Sequence, residues 1–297
     1  MQFREPSFSP IGAARGLLLG LALLAMPAAA ADRSTIEGYA EAVQAAIAHP
    51  PGDVRFLKDL QERLIELAAE RRQAAGAPPL RPDPGLRTAA RAHALDMLER
   101  GYFDHVTPDG QDVSDRVGIL DRRFIGTTGE NLAQEKGIPL PDPGRQIGPL
   151  ALRIVDGWMH SPEHRRNLLD RRYTDFGLAA AGQGKRIVIV QDFGRRDARL
   201  AEPMPLEVEQ DTELPLKFER GGTGPLPERF AFAPPGSPVK DLVPLPLSAN
   251  QVAVGPGEYR LKFYIPTMRQ DQFEVVDGPA LMVTPARSSR TSAAARP

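Results

Sequence analysis

Apolar positions recur at helical spacing along the first two thirds of the chain. They define amphipathic segments that predict helices over residues 53–75, 84–100 and about 145–160. In the first of these, the apolar positions are Val54, Leu57, Leu60, Leu64, Ile65, Leu67 and Ala68. The period changes in residues 175–194, where two short apolar runs surround a glycine turn and predict a pair of strands. Helices around a small sheet indicate an α/β or α+β domain over residues 53–197.

Beyond residue 203 the chain changes to short segments with partial period-2 alternation, separated by proline and glycine clusters. Of the 30 prolines, 15 lie after residue 200. This pattern predicts a small all-β domain of the Ig-like sandwich type over residues 203–285, which we expect to fold separately from the first domain. Residues 286–297 are predicted to be a disordered tail, and residues 31–52 an N-terminal helix and linker.

The N-terminal residues have the order of a secretory signal peptide. Arg4 and Arg15 precede an apolar run over residues 16–26, and small residues follow over 28–31. A membrane anchor is the alternative, but the apolar run is shorter than the roughly 20 residues that span a bilayer. We therefore predict a signal peptide over residues 1–30 and a secreted or periplasmic protein, with no transmembrane segment after cleavage.

The composition excludes several classes of function. The chain has no cysteine, which excludes disulfides, cysteine nucleophiles and zinc sites that contain cysteine. Its 37 basic and 38 acidic residues give a formal net charge of -1, which argues against a nucleic-acid partner. Phosphate-binding loops, dinucleotide fingerprints, G-x-S-x-G and HExxH are absent from the sequence.

The string HSPEH resembles the H-x-x-E-H zinc pattern, which requires one continuous helix. Pro162 lies inside it, and an interior proline breaks a helix. We therefore expect one helix to end near His160 and a second to begin with Ser161 as its N-cap. His164 then lies in the first turn of the second helix. The helix dipole favours its neutral form there, which can bind a metal ion or accept a proton.

Two further residues are candidates for chemistry, and a third is not. His105 lies where a helix gives way to a Thr-Pro-Asp-Gly turn, a frequent position for functional side chains. Glu130 follows Gly129 in a segment without a clear helical or strand pattern, and the alternative is that it only satisfies backbone groups of a buried loop. His93 falls on the apolar stripe of its helix and is predicted to be a core histidine. From the residues alone, His105, Glu130 and His164 are only weak evidence for a metal site, because no local sequence feature shows that they come together in the fold.

Several segments together resemble the bacterial secreted branch of the CAP superfamily, the SCP-like family of cysteine-rich secretory proteins, venom antigens and plant pathogenesis-related proteins. In chain order they are AAERRQAAGAPPLRPDPGLRTAARAHALDMLERGYFDHVTPDG, GENLA, IVDGWMHSPEHRRNLL, YTDFGLAA and VIVQDFG. The resemblance covers roughly residues 55–195. It implies an α-β-α sandwich with a central cleft, so the fold class expected for the whole chain is α+β.

The resemblance also implies which residues form the cleft. The family's two cleft histidines correspond to His105 and His164, and the glutamate of its GEN motif corresponds to Glu130. These three would hold a divalent metal ion, with Zn²⁺ as the expected cofactor. In many animal and plant members a second glutamate completes the set. Its position falls near Ser161 here, and Glu163 is the nearest carboxylate, so the fourth member stays open.

The function implied is a divalent-metal-dependent binding module whose cleft holds an envelope ligand: a lipid, a glycan or a peptide. One alternative is a zinc-dependent hydrolase acting on peptides or peptidoglycan, with Glu130 as the general base. Another is a structural or interaction protein of the envelope. We predict that His105, Glu130 and His164 converge in one cleft.

Overall fold

The computed structural model describes residues 32–141, 147–219, 224–269 and 271–286. The predicted signal peptide and residues 287–297 of the predicted tail lie outside the described residues. The helices are α1 Ile36–Ala48, α2 Lys58–Ala74, α3 Pro84–Arg100, α4 Val113–Leu120, α5 Ile147–His160 and α6 Pro162–Leu169. The strands are β1 Arg55–Phe56, β2 Arg81–Pro82, β3 Phe124–Lys136, β4 Asp175–Gln183, β5 Arg186–Arg199, β6 Glu207–Glu209, β7 Arg229–Ala233, β8 Leu245–Pro246, β9 Gly257–Pro266 and β10 Phe273–Thr284.

Local sequence sets the ends of the helices. Asp83 caps α3 by accepting a hydrogen bond from the Leu86 amide, and the helix stops at Gly101, whose φ of 78° is left-handed. The prediction for α3 is confirmed at both ends. The helix predicted from residue 53 begins later, at Lys58, because residues 55–56 pair with β4 as a strand.

The central sheet lies between two helical layers. Its order is β1-β4-β5-β3, with antiparallel pairing throughout. One face packs against α2 and α5, and the other packs against α3. Alternate residues of β4 serve the two faces: Leu178 and Ala180 face the first layer, and Ala179 and Ala181 the second. This is the predicted α-β-α arrangement, and the described chain as a whole is α+β.

The C-terminal strands continue the same sheet. Its path runs from β3 through β10, β9 and β7 to β8, and β6 pairs with β10 in parallel. Asp277 of β10 pairs with Gly126 of β3. The described part of residues 203–285 contains these strands and one short 3-10 helix, which agrees with the predicted all-β character. An Ig-like pair of facing sheets is not confirmed.

A shared core joins the C-terminal strands to the first part of the chain. Ile125 of β3 and Leu200, just after β5, pack into one buried cluster with Phe230, Phe263 and Leu281 of the C-terminal strands. The described residues from 32 onward belong to one compact unit. The boundary predicted between residues 197 and 203 therefore coincides with no break in packing among the described residues, and separate folding of the second part stays a prediction.

Helix α1 also contacts both parts. Its residues Ile36, Tyr39 and Val43 pack in one buried cluster with Ile119 of α4 and Ala280 of β10. The predicted N-terminal helix is present as α1, and it packs into a buried core with α4 and β10. No helix among the described residues is both long enough and apolar enough to cross a membrane.

Candidate functional site

Helix α4 positions an arginine beneath the predicted cleft. The helix begins with a reciprocal capping box, in which Asp112 and Asp115 each accept a hydrogen bond from the other's backbone amide. This fixes the start of the helix and places Arg116 on its buried face with Val117. The Arg116 side chain has no exposed surface.

Arg116 contacts the two predicted residues His105 and Glu130. Its Nη2 donates to Glu130 Oε2 at 2.5 Å, and its Nη1 donates to the backbone oxygens of His105 and Gln111, both at 2.9 Å. His105 Nδ1 lies 2.6 Å from Glu130 Oε1. Because a carboxylate only accepts, Nδ1 carries the hydrogen of that bond. Each Glu130 oxygen thus has a charged or polarised donor.

The electrostatics of the pair follow from this geometry. Burial acts to raise the pKa of Glu130, but the Arg116 charge and the hydrogen bond from His105 outweigh it, so that the pKa is lowered. The hydrogen bond to Glu130 raises the pKa of His105, against the partial burial of the ring. The His105 side chain is 53% exposed, although its Nδ1 is bonded to a buried carboxylate.

His93 lies beneath the same carboxylate. Its Nε2 is 3.8 Å from Glu130 Oε2 and donates to the backbone oxygen of Asp104 at 2.9 Å. Burial lowers the pKa of His93 to about 4, so it is neutral at physiological pH. It is buried, as predicted for a core histidine, yet it belongs to the floor of the site.

Sequence reasoning missed Arg116 and Asp192. Asp192 of β5 is the direct cross-strand partner of Glu130 on β3, and it is fully buried. Burial and the neighbouring Glu130 charge raise the pKa of Asp192 well above its usual range. The sequence does contain a signal for Arg116. Its position has helical spacing with Val113, Val117 and Leu120, so it falls on the apolar face of the helix. An arginine on such a face needs a buried partner for its charge.

Helix α6 delivers His164 to the neighbourhood of the site. As predicted, Pro162 is its first residue and Ser161 occupies the N-cap position, although the serine side chain makes no capping hydrogen bond. Asn167 Nδ2 donates to the backbone oxygen of Glu130 at 3.0 Å. Burial and the charge of His105 lower the pKa of His164.

The two remaining predicted cleft residues take little part in this network. Glu163 is exposed, and its charge acts to raise the pKa of His164, against the larger effects of burial and of His105. Ser161 is half-buried at the start of α6. The convergence of His105, Glu130 and His164 within metal-binding distance stays a prediction.

A family model described as the cysteine-rich secretory protein family, CAP, matches residues 65–193. This match covers less than half of the chain and supports a CAP domain over these residues. The Bacillus subtilis (strain 168) protein YkwD is 32% identical over 124 residues, which make up 42% of this chain and 43% of YkwD. The chain therefore spans less than half the length of this curated relative.

Two solved structures are similar to part of the chain. An outer surface protein from Borrelia burgdorferi is 23% identical, with a TM-score of 0.42, and the match covers 49% of this chain and 98% of that protein. An extracellular protein with an SCP domain from Bacillus anthracis str. Ames is 25% identical, with a TM-score of 0.38, and the match covers 47% of this chain and 41% of that one.

The zinc ion implied by the CAP resemblance can be tested against the donors. Among the described residues, no group of three or more His, Asp or Glu side chains is arranged to hold a metal ion. Both Glu130 oxygens are already bonded, one of them to the permanently charged Arg116. A zinc ion on Glu130 would lie beside that guanidinium, since Zn–O bonds are only about 2.0–2.2 Å long. As arranged here, the side chains do not fit a zinc site that includes Glu130.

Proposed function

We propose that this protein is an exported CAP-domain binding module whose cleft, centred on His105 and Glu130, holds a ligand of the cell envelope. The signal-peptide pattern over residues 1–30 supports export. The match of residues 65–193 to the cysteine-rich secretory protein family supports an extracellular type of protein. The ligand classes are those expected from the sequence: a lipid, a glycan or a peptide.

One observation carries the proposal: the buried Glu130 carboxylate orients an exposed imidazole. The 2.6 Å bond to His105 Nδ1 fixes the ring and leaves Nε2 without a hydrogen-bond partner among the described residues. Phe103 and Val106 flank it in the same loop and are 42% and 43% exposed. A fixed polar point between exposed apolar side chains is typical of a ligand-binding surface. It suits a ligand with a hydrogen-bonding group next to an apolar part.

Binding is favoured over hydrolysis because a nucleophile is missing from the contacts of His105. In the part of the chain that the structure describes, no serine or threonine hydroxyl is hydrogen-bonded to its ring. A histidine oriented by a carboxylate is nevertheless a potential general base towards water. Hydrolysis without a metal ion is therefore the competing outcome of the test.

The test uses purified peptidoglycan sacculi and vesicles of anionic phospholipid as probes. The mature protein should co-sediment with one of them, and His105→Ala should weaken that binding at least tenfold. His49→Ala is the matched control, because His49 is exposed at the end of α1 and makes no side-chain hydrogen bond to a described residue; it should bind like the wild type. Equal binding by His105→Ala, or no binding to either probe, would contradict the proposal. Release of soluble fragments from sacculi would instead favour the hydrolase.

A further inference from the structure

Arg116 holds both members of the cleft pair from below. Its Nη2 reaches the Glu130 carboxylate, and its Nη1 reaches the backbone oxygen of His105. The bond to the Gln111 backbone oxygen anchors the turn that follows His105. One buried guanidinium therefore fixes the position of the imidazole through its backbone and the position of the carboxylate directly.

A divalent cation in such a cleft would perform the same two tasks: it would neutralise a buried carboxylate and hold its ligands at fixed positions. We propose that the Arg116 guanidinium is the resident cation of this cleft, that it positions His105 and Glu130, and that it excludes a divalent metal ion. The proposal shares its site with the proposed function but requires no knowledge of the ligand.

Three features of the geometry support this role. Arg116 carries its charge at every physiological pH, so the cation cannot be lost as a metal ion can. Neither Glu130 oxygen lacks a close donor, and the carboxylate is nearly inaccessible to solvent. A second cation at Glu130 would be repelled by the guanidinium at short range in a buried site, where charges are weakly screened.

The experiment measures thermal unfolding of the tag-free mature protein with EDTA and with added zinc chloride. Wild type should show the same melting temperature in both. Arg116→Met leaves the Glu130 charge without its cation, so this variant should melt lower in EDTA and regain stability with zinc. Its zinc affinity, measured by calorimetry, should exceed that of the wild type at least tenfold.

Arg72→Met is the matched control. Arg72 is also buried and also donates to backbone oxygens, those of Pro78, Leu168 and Asp170, but to no carboxylate of the described residues. Its removal should lower the melting temperature, and zinc should not restore it. Arg116→Lys keeps a cation in place and should stay insensitive to zinc.

Two results would overturn the proposal. One is zinc binding by the wild type that Glu130→Gln or His105→Ala abolishes, and this measurement stands even if Arg116→Met does not fold. The other is a folded Arg116→Met that responds to zinc no more than Arg72→Met. Neither result bears on binding to sacculi or vesicles, so failure here is distinguishable from failure of the proposed function.

Discussion

At the scale of single residues, the site depends on a buried ion pair. The side chains of Arg116 and Glu130 are both nearly inaccessible to solvent, and Arg116 Nη2 lies 2.5 Å from Glu130 Oε2. The net contribution of such a pair to stability is small, because desolvation offsets most of the attraction. Removing one partner is costly, since the other charge is left buried without compensation. This asymmetry makes the pair testable.

We expect Glu130→Gln to destabilise the protein by about 3–5 kcal/mol, because the Arg116 charge is left without a counterion. The free energy of unfolding in urea measures the change. Glu163→Gln is the control: Glu163 is exposed, so its effect should stay within about 0.5 kcal/mol. A loss of less than about 1 kcal/mol for Glu130→Gln would contradict the buried pair.

The two histidines beside Glu130, His93 and His105, should make contributions to folding stability that depend on pH in opposite directions. The pKa of His93 is lowered from 6.5 to about 4, so between these values the unfolded chain binds a proton that the folded protein does not. Stability from His93 therefore falls as pH falls through this range. The raised pKa of His105 contributes stability that is present below pH 6.5 and is lost as pH rises through the folded value.

NMR titration of the imidazole C–H signals should check both shifts. We expect His105 to titrate above 6.5 and His93 to stay neutral down to about pH 4. When the pH is lowered from 6.5 to 4.5, the free energy of unfolding should decrease less in His93→Gln than in the wild type. A His105 that titrates below 6.5 would show that its ring does not bond to Glu130.

Residue types alone could suggest His105 and Glu130, but they could not show the contact between them. The two lie 25 positions apart, and only the packing of the loop after α3 onto β3 brings them together. Arg116 was missed because an arginine is normally expected at the surface, whereas this one lies on the buried face of α4. Asp192 could not be recognised without the register that sets it opposite Glu130.

At the scale of elements, hydrogen bonds between α6 and β3 hold the helix that carries His164 beside the strand that carries Glu130. Pro162 predicted the break after α5, because proline fixes the backbone of a first helical turn and excludes a continuous helix. The docking of the new helix was not predictable, because it depends on side-chain bonds to β3. Asn167 donates to the Glu130 backbone oxygen and to Asn131 Oδ1, and Asn131 donates to the His164 backbone oxygen.

We expect Asn167→Ala to cost about 1–3 kcal/mol, because two acceptors on β3 lose their donor. The chemical shift of the His164 ring should change with it, since α6 loses its fixed position on the strand. Chemical unfolding and NMR measure the two effects. Arg166→Ala is the control on the same helix: Arg166 is exposed, so neither quantity should change appreciably. An unchanged His164 signal in Asn167→Ala would show that other contacts hold α6.

At the scale of the molecule, the alternation after residue 203 correctly indicated strands, but it could not show where they pair. The periodicity of a strand marks a buried face without naming its neighbour. Here β10 joins β3, and its Ala280 lies under α1 and α4. The change of pattern and composition predicted a second domain that folds separately, whereas the buried cluster includes residues from both predicted domains.

The shared cluster makes truncation after residue 202 the decisive test of the predicted domain boundary. Ile125 and Leu200 are fully buried in the intact chain, and the truncation would expose them. Each large apolar side chain that becomes fully exposed loses about 1.5–3 kcal/mol of stabilisation. We therefore expect the truncated protein to melt cooperatively but at a lower temperature, as followed by circular dichroism. Replacing Val243, an apolar residue already 73% exposed in the C-terminal part, with serine should leave the melt unchanged. An unaltered melting temperature after truncation would instead establish a separable second domain, because a shared core cannot lose 12 of its 15 buried members without loss of stability.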